Sequence, residues 1–353
     1  MKIVFWQNVL SIHQEALLVA LAERVEVWLV YEEELYKNRK AMGWSIPEFN
    51  GVKLVPIDDI QNISNGFLQN LDYDYHIFSG INAYPKISKY FNFFYKKNPS
   101  RLACFLEKPG GSGSRLESYF RLLKYKYYAL KYKKLKYLLT PGGEEYLWNA
   151  GFKKEKIIPF AYFGPETTVN TVENVKNNNI IEFVYVGSLS KRKNVGLVFQ
   201  ALKTYKNTEW HMSVVGDGEE CESLMQLVES LNLSKQITFL GNKSNNEVQQ
   251  ILFESDYLFL PSLHDGWGYV VNEALSKGCS VICSDACGAS SIVKDCKGSY
   301  VFSSGSVKKL TNILNRVVAY GPLTVNDKKK TVEFFEAKLS GFSGSKFLLE
   351  KIQ

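Results

Sequence analysis

The stretch "SLHDGWGYVVNEALSKGCSVICSD", residues 262–285, decides how the fold is read. Asp265 and Glu273 stand eight positions apart, with Gly266 and Gly268 between them and then a run that fits the first turns of a helix. The segment before it, "DYLFLP", and the one that closes it, "CSVICS", are continuous apolar runs of the kind that form buried strands. The two acids therefore bracket a strand–loop–helix junction. Such junctions offer backbone N–H groups and a helix N-terminus to a bound anion.

Working outward, the same alternation fills the chain. Toward the N-terminus the strand candidates are "KIVFW", "VEVWLV", "VKLVPI", "YHIFSG", "LACFL", "KYLLT" and "KIIPF", with amphipathic stretches such as 14–22, 84–95 and 115–134 between them. A polar run, "PETTVNTVENVKNNN" (165–179), interrupts the pattern and has little to bury. The alternation then restarts with "IIEFVYVG", "WHMSVVG", "QITFLG", "DYLFLP", "SVICS" and "SYVF". Strand–helix alternation of this kind predicts parallel sheets covered on both faces. The expected fold class is α/β, with two doubly wound Rossmann-like domains facing across a cleft. The expected boundaries are 1–164, a linker at 165–179, a second domain at 180–322, and helices at 323–353 that pack back on the first domain.

The 353 residues are 45% apolar and 14% aromatic, enough for two cores of ordinary size. No apolar run approaches a membrane span, and the polar residues soon after "KIVFW" argue against a secretory signal. The expected location is cytoplasmic, at the inner face of the plasma membrane. The net charge is +7, and "RLLKYKYYALKYKKLKY" (121–137) alone holds seven basic residues and no acid. Read as one helix, it places Leu123, Tyr127, Leu130 and Tyr137 on an apolar stripe, with Lys124, Lys126, Lys131, Lys133 and Lys136 around the rest. It is either an ordinary amphipathic helix with a solvated lysine face or a peripheral contact with anionic membrane. No base-reading motif accompanies it, so nucleic acid is not an expected partner. The six cysteines show no paired C-x-x-C spacing, which points to buried free thiols rather than a metal site.

In the second half, "VYVGSLSKRKNVGLVFQAL" (184–202) is a strand, a turn at Gly187, a basic cluster and a helix. Arg192 and Lys193 sit at a helix start that is already electropositive, so a diphosphate would relieve them. The bland alternative is two solvated charges at a loop tip. "VVGDGEE" and "FLGNKSNNEV" repeat the strand–glycine turn, the latter with a helix cap expected at Ser244 or Asn245.

In this order the segments G-x-L…R-K-N, V-G-D-G-E, F-L-G-N and P-S-x-x-D-G-W-G-Y-V-V-N-E-A-L-x-x-G resemble the donor-binding half of glycosyltransferase family 4, retaining enzymes of GT-B fold. The resemblance is specific over about residues 180–300 and only architectural before that. The family's E-x7-E signature is matched by Asp265 and Glu273. It implies a nucleotide-sugar co-substrate, with a UDP-sugar expected, and no metal or other cofactor. Glu273 would accept hydrogen bonds from ribose hydroxyls, and the amides of Tyr269, Val270 and Val271 would receive the diphosphate. Gly187, Ser188, Gly241, Asn242 and Gly268 complete the donor-binding set. Asp265 would hold sugar hydroxyls, and Arg192 and Lys193 would neutralise the leaving group. Two departures stand out. Ser188 replaces the family's arginine, a charge that Arg192 would supply four positions on, and Asp265 is one methylene shorter than glutamate.

The first half would bind the acceptor, a glycan or lipid-linked sugar of a bacterial cell-surface polysaccharide. His13 follows the first strand at the start of a helix, as a base or an acceptor contact, or simply as a packing residue. Glu107 ends a strand before the loop "KPGGSGSR", where the family often has a histidine against the transferred sugar; it is also readable as a solvated loop acid. With no evident nucleophile, retention would follow from internal return, the departing phosphate taking the acceptor's proton. Asp72 and Asp74 form a D-x-D string that precedes a strand and reads as a turn. Two other readings stay open. One is a sugar-nucleotide 2-epimerase of GT-B fold, which turns over its donor without an acceptor. The other is a non-catalytic nucleotide-binding module.

Overall fold

All seven apolar runs of the first half form strands: β1 (Lys2–Val9), β2 (Glu26–Glu33), β3 (Lys53–Pro56), β4 (Tyr75–Ser79), β5 (Leu102–Phe105), β6 (Tyr137–Thr140) and β7 (Ile157–Pro159). Between them lie α1 (Ile12–Ala22), α2 (Pro85–Lys97), α3 (Arg115–Lys131) and α4 (Glu144–Asn149). The structure is a computed structural model and describes residues 1–35, 46–61, 75–107, 115–167, 179–205 and 209–352. Asp72 and Asp74, and most of the polar stretch 165–179, lie outside those residues. The strands pair in parallel in the order β3-β2-β1-β4-β5-β6-β7. The order reverses direction between β1 and β4, and it is outside the carboxyl ends of strands at such a reversal that ligands bind.

The second half repeats this plan. Strands β8 (Ile181–Val186), β9 (Trp210–Val215), β10 (Ile237–Gly241), β11 (Tyr257–Leu260), β12 (Ser280–Ser284) and β13 (Tyr300–Phe302) pair in parallel as β10-β9-β8-β11-β12-β13. The helices are α5 (Gly196–Leu202), α6 (Cys221–Ser230), α7 (Asn245–Glu254), α8 (Val270–Ser276), α9 (Ser290–Val293), α10 (Val307–Tyr320), α11 (Val325–Leu339) and α12 (Gly341–Ile352). Here the reversal falls between β8 and β11. Phe183 and Tyr185 of β8 and Phe259 of β11 meet Val198, Phe199 and Leu202 of α5 and Leu310, Leu314 and Val317 of α10 in one core. At about 1.5–3 kcal/mol for each large side chain buried, this packing holds the loops at the strand ends in place. Ser244 caps α7 in a reciprocal box with Glu247.

The chain divides into two compact units. The first holds the described residues up to Glu166 together with those from Leu339 on; the second holds the described part of Thr167–Lys338. Of the helices expected to pack back on the first domain, α11 stays with the second unit apart from its last residue, and α12 joins the first. Close approach makes this possible. A Cβ on Gly341 would lie 2.3 Å from the Ala16 carbonyl oxygen of α1, and one on Gly344 would lie 2.5 Å from the Phe163 ring.

The segment 121–137 is not one helix. Helix α3 stops at Lys131, and Tyr137 already belongs to β6. Nor is Leu123–Tyr127–Leu130 a core stripe, since all three are exposed. Tyr128 is buried, with Leu122, Tyr125 and Ala129 packed against the first unit's core, and Tyr132 is buried just after the helix. Every cysteine is a free thiol; five are buried and Cys221 is half-buried. Burial pushes Cys279 up to about 12 and Cys287 up to about 11, which keeps both protonated and unreactive. Among the described residues no helix is long and apolar enough to cross a membrane.

Candidate functional site

In the second unit, three glycine turns carry the sheet's ladder past its carboxyl edge. The Gly187 amide donates to the Val215 carbonyl at 3.0 Å, Leu189 to Asp217 at 2.9 Å, and Gly216 to Gly241 at 2.8 Å. Gly216 is at φ +125°, and a Cβ there would sit 2.0 Å from the Gly187 oxygen. The turn therefore accepts only glycine. Tyr185, buried beneath it, donates its hydroxyl to the Ser188 carbonyl at 2.8 Å. Ser188, Gly241 and Asn242 themselves face solvent.

The loops after β8 and β11 meet directly. Arg192 and Lys193 lie in a 3-10 turn, Lys191–Lys193, that ends at Asn194 in a left-handed conformation before α5 begins. The Leu263 amide donates to the Arg192 carbonyl at 2.8 Å, and the Arg192 guanidinium donates to the His264 carbonyl at 2.7 Å. The Lys193 ammonium is 2.5 Å from the Asp265 carboxylate, and Arg192 is 3.6 Å from the same oxygen. Lys193 is only 14% exposed, against 44% for Arg192. Asp265 thus offsets one of the two positive charges it meets at this turn, and the half-exposed Arg192 keeps an excess. A ligand anion would have to compete with a carboxylate from the neighbouring loop.

Beyond Asp265 the chain makes the expected turn. Gly268 is at φ +92°, and a Cβ there would meet Leu260 at 2.4 Å. The Trp267 indole donates to the Asn272 side chain at 2.7 Å, which locks the loop onto the first turn of α8. Of the three amides expected to receive a diphosphate, that of Val271 is already committed to the Gly268 carbonyl at 2.9 Å, and the Val271 side chain is fully buried. Tyr269 caps α8 and Val270 is its first residue. Glu273 projects into a largely desolvated place, where its carboxylate meets the Gln249 amide of α7 at 3.3 Å. Burial lifts its pKa to about 7, with Lys277 pulling the other way. A carboxyl so desolvated is poised to take hydrogen-bond donors from a ligand.

The first unit has its own pocket at the reversal of its strand order. Its wall is mainly apolar, with Phe5, Ile77, Phe105 and Phe160 among the lining side chains, and Gln7 of β1, Ser79 of β4, His13 and Gln14 of α1 and Tyr162 are the polar residues in it. Alternation explains the choice: Phe5 pairs with Ile77 and Ser79 with Phe105, so these side chains share one sheet face. Ser11 caps α1 and accepts from the His13 amide at 3.4 Å, which presents His13 at the helix's first turn. Gln7, buried in the sheet, donates its amide to Gln14. Tyr162 stands edge-on to His13 at 5.8 Å between ring centres and donates its hydroxyl to Glu107. So His13 and Glu107 do belong to one neighbourhood, joined by a tyrosine that gave no signal of its role. In "PFAYFG" it looks like one more core aromatic. Gln7 and Gln14 were equally silent, as were Gln249 and Tyr185 in the second unit. Among the described residues no group of three or more His, Cys, Asp or Glu could hold a metal ion.

With this geometry in view, similarity to known proteins can be placed. Residues 167–331 match the family model of glycosyl transferases group 1. An uncharacterized glycosyltransferase of Haemophilus influenzae is 25% identical over 181 residues, covering 50% of this chain and 49% of that protein. The lipopolysaccharide 1,6-galactosyltransferase of Escherichia coli is 24% identical over 209 residues, covering 57% of each. The chain thus spans about half the length of the curated relatives it matches. Over the whole fold, the crystal structure of Anabaena HepE in complex with UDP superposes with a TM-score of 0.69 at 16% identity, covering 100% of this chain and 99% of that one. The fold is GT-B: two Rossmann-like units, each with a wholly parallel sheet. The stretch matched by the family model spans all the residues expected at the donor, from Gly187 to Glu273.

Proposed function

We propose that the protein is a glycosyltransferase that moves a sugar from a UDP-sugar to a glycan or lipid-linked acceptor, with retention and without a metal, in the making of a bacterial cell-surface polysaccharide. The observation that carries this reading is the junction of two cations with one carboxylate at the strand-order reversal: Lys193 and Arg192 on Asp265, at 2.5 and 3.6 Å. Both charge signs a nucleotide-sugar needs are there on rigid loops. When the donor binds, Lys193 and Arg192 turn their charge to its diphosphate, and Asp265 is released to the sugar hydroxyls. Glu273 accepts the two ribose hydroxyls. The relatives support the class of reaction, and the lipopolysaccharide enzyme among them supports the class of acceptor.

The acceptor belongs at the mouth of the first unit's pocket, where the half-buried His13 and the Tyr162–Glu107 pair offer donors and acceptors to sugar hydroxyls. In the transfer step the acceptor oxygen bonds to the anomeric carbon as the bond from that carbon to the diphosphate breaks. The acceptor's proton passes to the departing diphosphate on the same face. Stabilising the negative charge that builds on that leaving group is the chief contribution of Lys193 and Arg192.

A panel of UDP-sugars, scored by melting temperature and by slow UDP release, tests the donor, and NMR of the anomeric proton in the product tests retention. At least one UDP-sugar should raise the melting temperature and be hydrolysed slowly, with activity unchanged in excess EDTA. Absence of any UDP-sugar binding overturns the donor assignment, and conversion of the donor to its 2-epimer without acceptor overturns the reaction.

A further inference from the structure

Helix α3 is apolar on two faces, and the protein's core accounts for only one. On a wheel of about 100° per residue, Leu122, Tyr125, Tyr128 and Ala129 cluster toward the core. On the opposite side Leu116, Tyr119, Phe120, Leu123, Tyr127 and Leu130 form a second stripe, and all six are exposed. Leu116 is 68% exposed and Leu130 77%. Single exposed apolar residues need no explanation, but an aligned row of six, about 21 Å long at 1.5 Å per residue, does. Its borders are basic. Lys126 lies on one edge of the stripe and Lys124 and Lys131 on the other, each exposed, and Lys133 and Lys134 follow just past the helix end. Glu117 is the one acid among residues 115–134.

We propose that this face of α3 lies in the interface of an anionic lipid bilayer, parallel to its plane. Leucine, phenylalanine and tyrosine along the centre would enter the headgroup and upper acyl region. The lysines on both borders would reach out to lipid phosphates. The charge pattern selects this occupant over a second copy of the chain. Residues 116, 120, 123, 127 and 130 have the 4-3 spacing of a coiled-coil seam, but a parallel partner would set Lys126 against Lys131 of the other helix. Nucleic acid would answer the lysines and leave six apolar side chains in water. An anionic surface answers both. Vesicle binding does not rest on the transferase reading and can be measured without a sugar donor.

The test is co-sedimentation of the full chain with phosphatidylcholine vesicles, with and without 30% phosphatidylglycerol, across a salt series. Binding should need the anionic lipid and weaken as salt rises. Replacing Lys124, Lys126 and Lys131 by glutamine should lower partitioning by about a hundredfold, since each lysine near the surface contributes roughly a fivefold factor. Leu123→Ser with Tyr127→Ser and Leu130→Ser should abolish binding with only a small drop in melting temperature, because none of the three belongs to the buried core. Equal recovery with both vesicle types at low salt overturns the proposal. So does retention of binding by the serine variant. A dimer seen by light scattering in the absence of lipid, and lost in that variant, overturns it in favour of a second copy.

Discussion

Burial lifts Glu273 into the neutral pH range, and two opposed pH dependences follow. In the free protein, burial holds its pKa near 7 against an ordinary value of 4.5. Below about pH 4.5 folded and unfolded chains both carry the proton. Between 4.5 and 7 only the folded chain does, so this residue's contribution to stability declines as pH rises through that window, by on the order of 3 kcal/mol in all. Urea unfolding from pH 4.5 to 8 should show that decline in the native protein and lose it in Glu273→Gln; identical curves would refute the assignment. On the proposed reading ribose hydroxyls favour the ionised form, so UDP-sugar affinity should strengthen from pH 6 to 8, with a proton released on binding. Glu273→Ala should raise the donor Kd at least tenfold, charge-assisted bonds being worth about 1.5–3 kcal/mol. Lys193 and Arg192 act differently. Their alanine variants should lose kcat more than donor affinity, and Lys193→Ala should lose more than Arg192→Ala because Lys193 is the less solvated; the reverse order in steady-state kinetics would put the leaving-group charge on Arg192. Spacing made the loop and helix start of this candidate site legible, because acid, glycine and helix start recur there in a fixed order. Tyr162 was not legible, since only the meeting of β5 and the loop after β7 reveals that its hydroxyl serves Glu107.

At the scale of elements, the turns after β8, β9 and β10 are one laced edge, and its glycines are not equivalent. Gly216→Ala drives a Cβ to 2.0 Å from the Gly187 oxygen, whereas Gly241 has nothing within 4 Å and carries only a left-handed φ of +65°. Gly216→Ala should therefore cost about 2–4 kcal/mol and distort the Gly187 turn, while Gly241→Ala should cost only about 1 kcal/mol of backbone strain. Denaturant midpoints for the two variants, with UDP-sugar titrations alongside, test this; equal losses would mean that strain alone matters. Strands were legible throughout because each is a short β-branched or aromatic run between turn residues. The end of α3 was not. The basic run continues past Lys131 with good helix formers, and only pairing with Ala103 and Ile157 draws Tyr137 and Leu138 into a strand. Tyrosines interleaved with leucines produced two apolar stripes, and burial alone separates the one that packs from the one that does not.

At the scale of the molecule, the C-terminal helices matter out of proportion to their length. Lys328 of α11 is wholly buried, donating to the Ser255 carbonyl at 2.6 Å and the Phe253 carbonyl at 3.3 Å, with Asp256 at 3.7 Å. Asp256 in turn accepts from the amides of Glu182 and Leu323 at 3.0 and 3.2 Å, so one buried pair ties α11 to β8 and to the turn after α10. Lys328→Met leaves that carboxylate buried without its cation and should destabilise the second unit by about 3–5 kcal/mol. Adding Asp256→Asn should recover much of the loss in calorimetry; no recovery would mean that Lys328 serves the carbonyls alone. None of this was legible beforehand, because a lysine in a polar helix looks solvated. The division at Leu339 was equally hidden, since α11 and α12 run on with scarcely a break. That division has a consequence in time. The last dozen residues complete the packing around α1, yet a ribosome makes them only after the whole of Thr167–Lys338. At about 5–20 residues per second, the first unit waits roughly 10–30 s with the face that α12 will cover still bare.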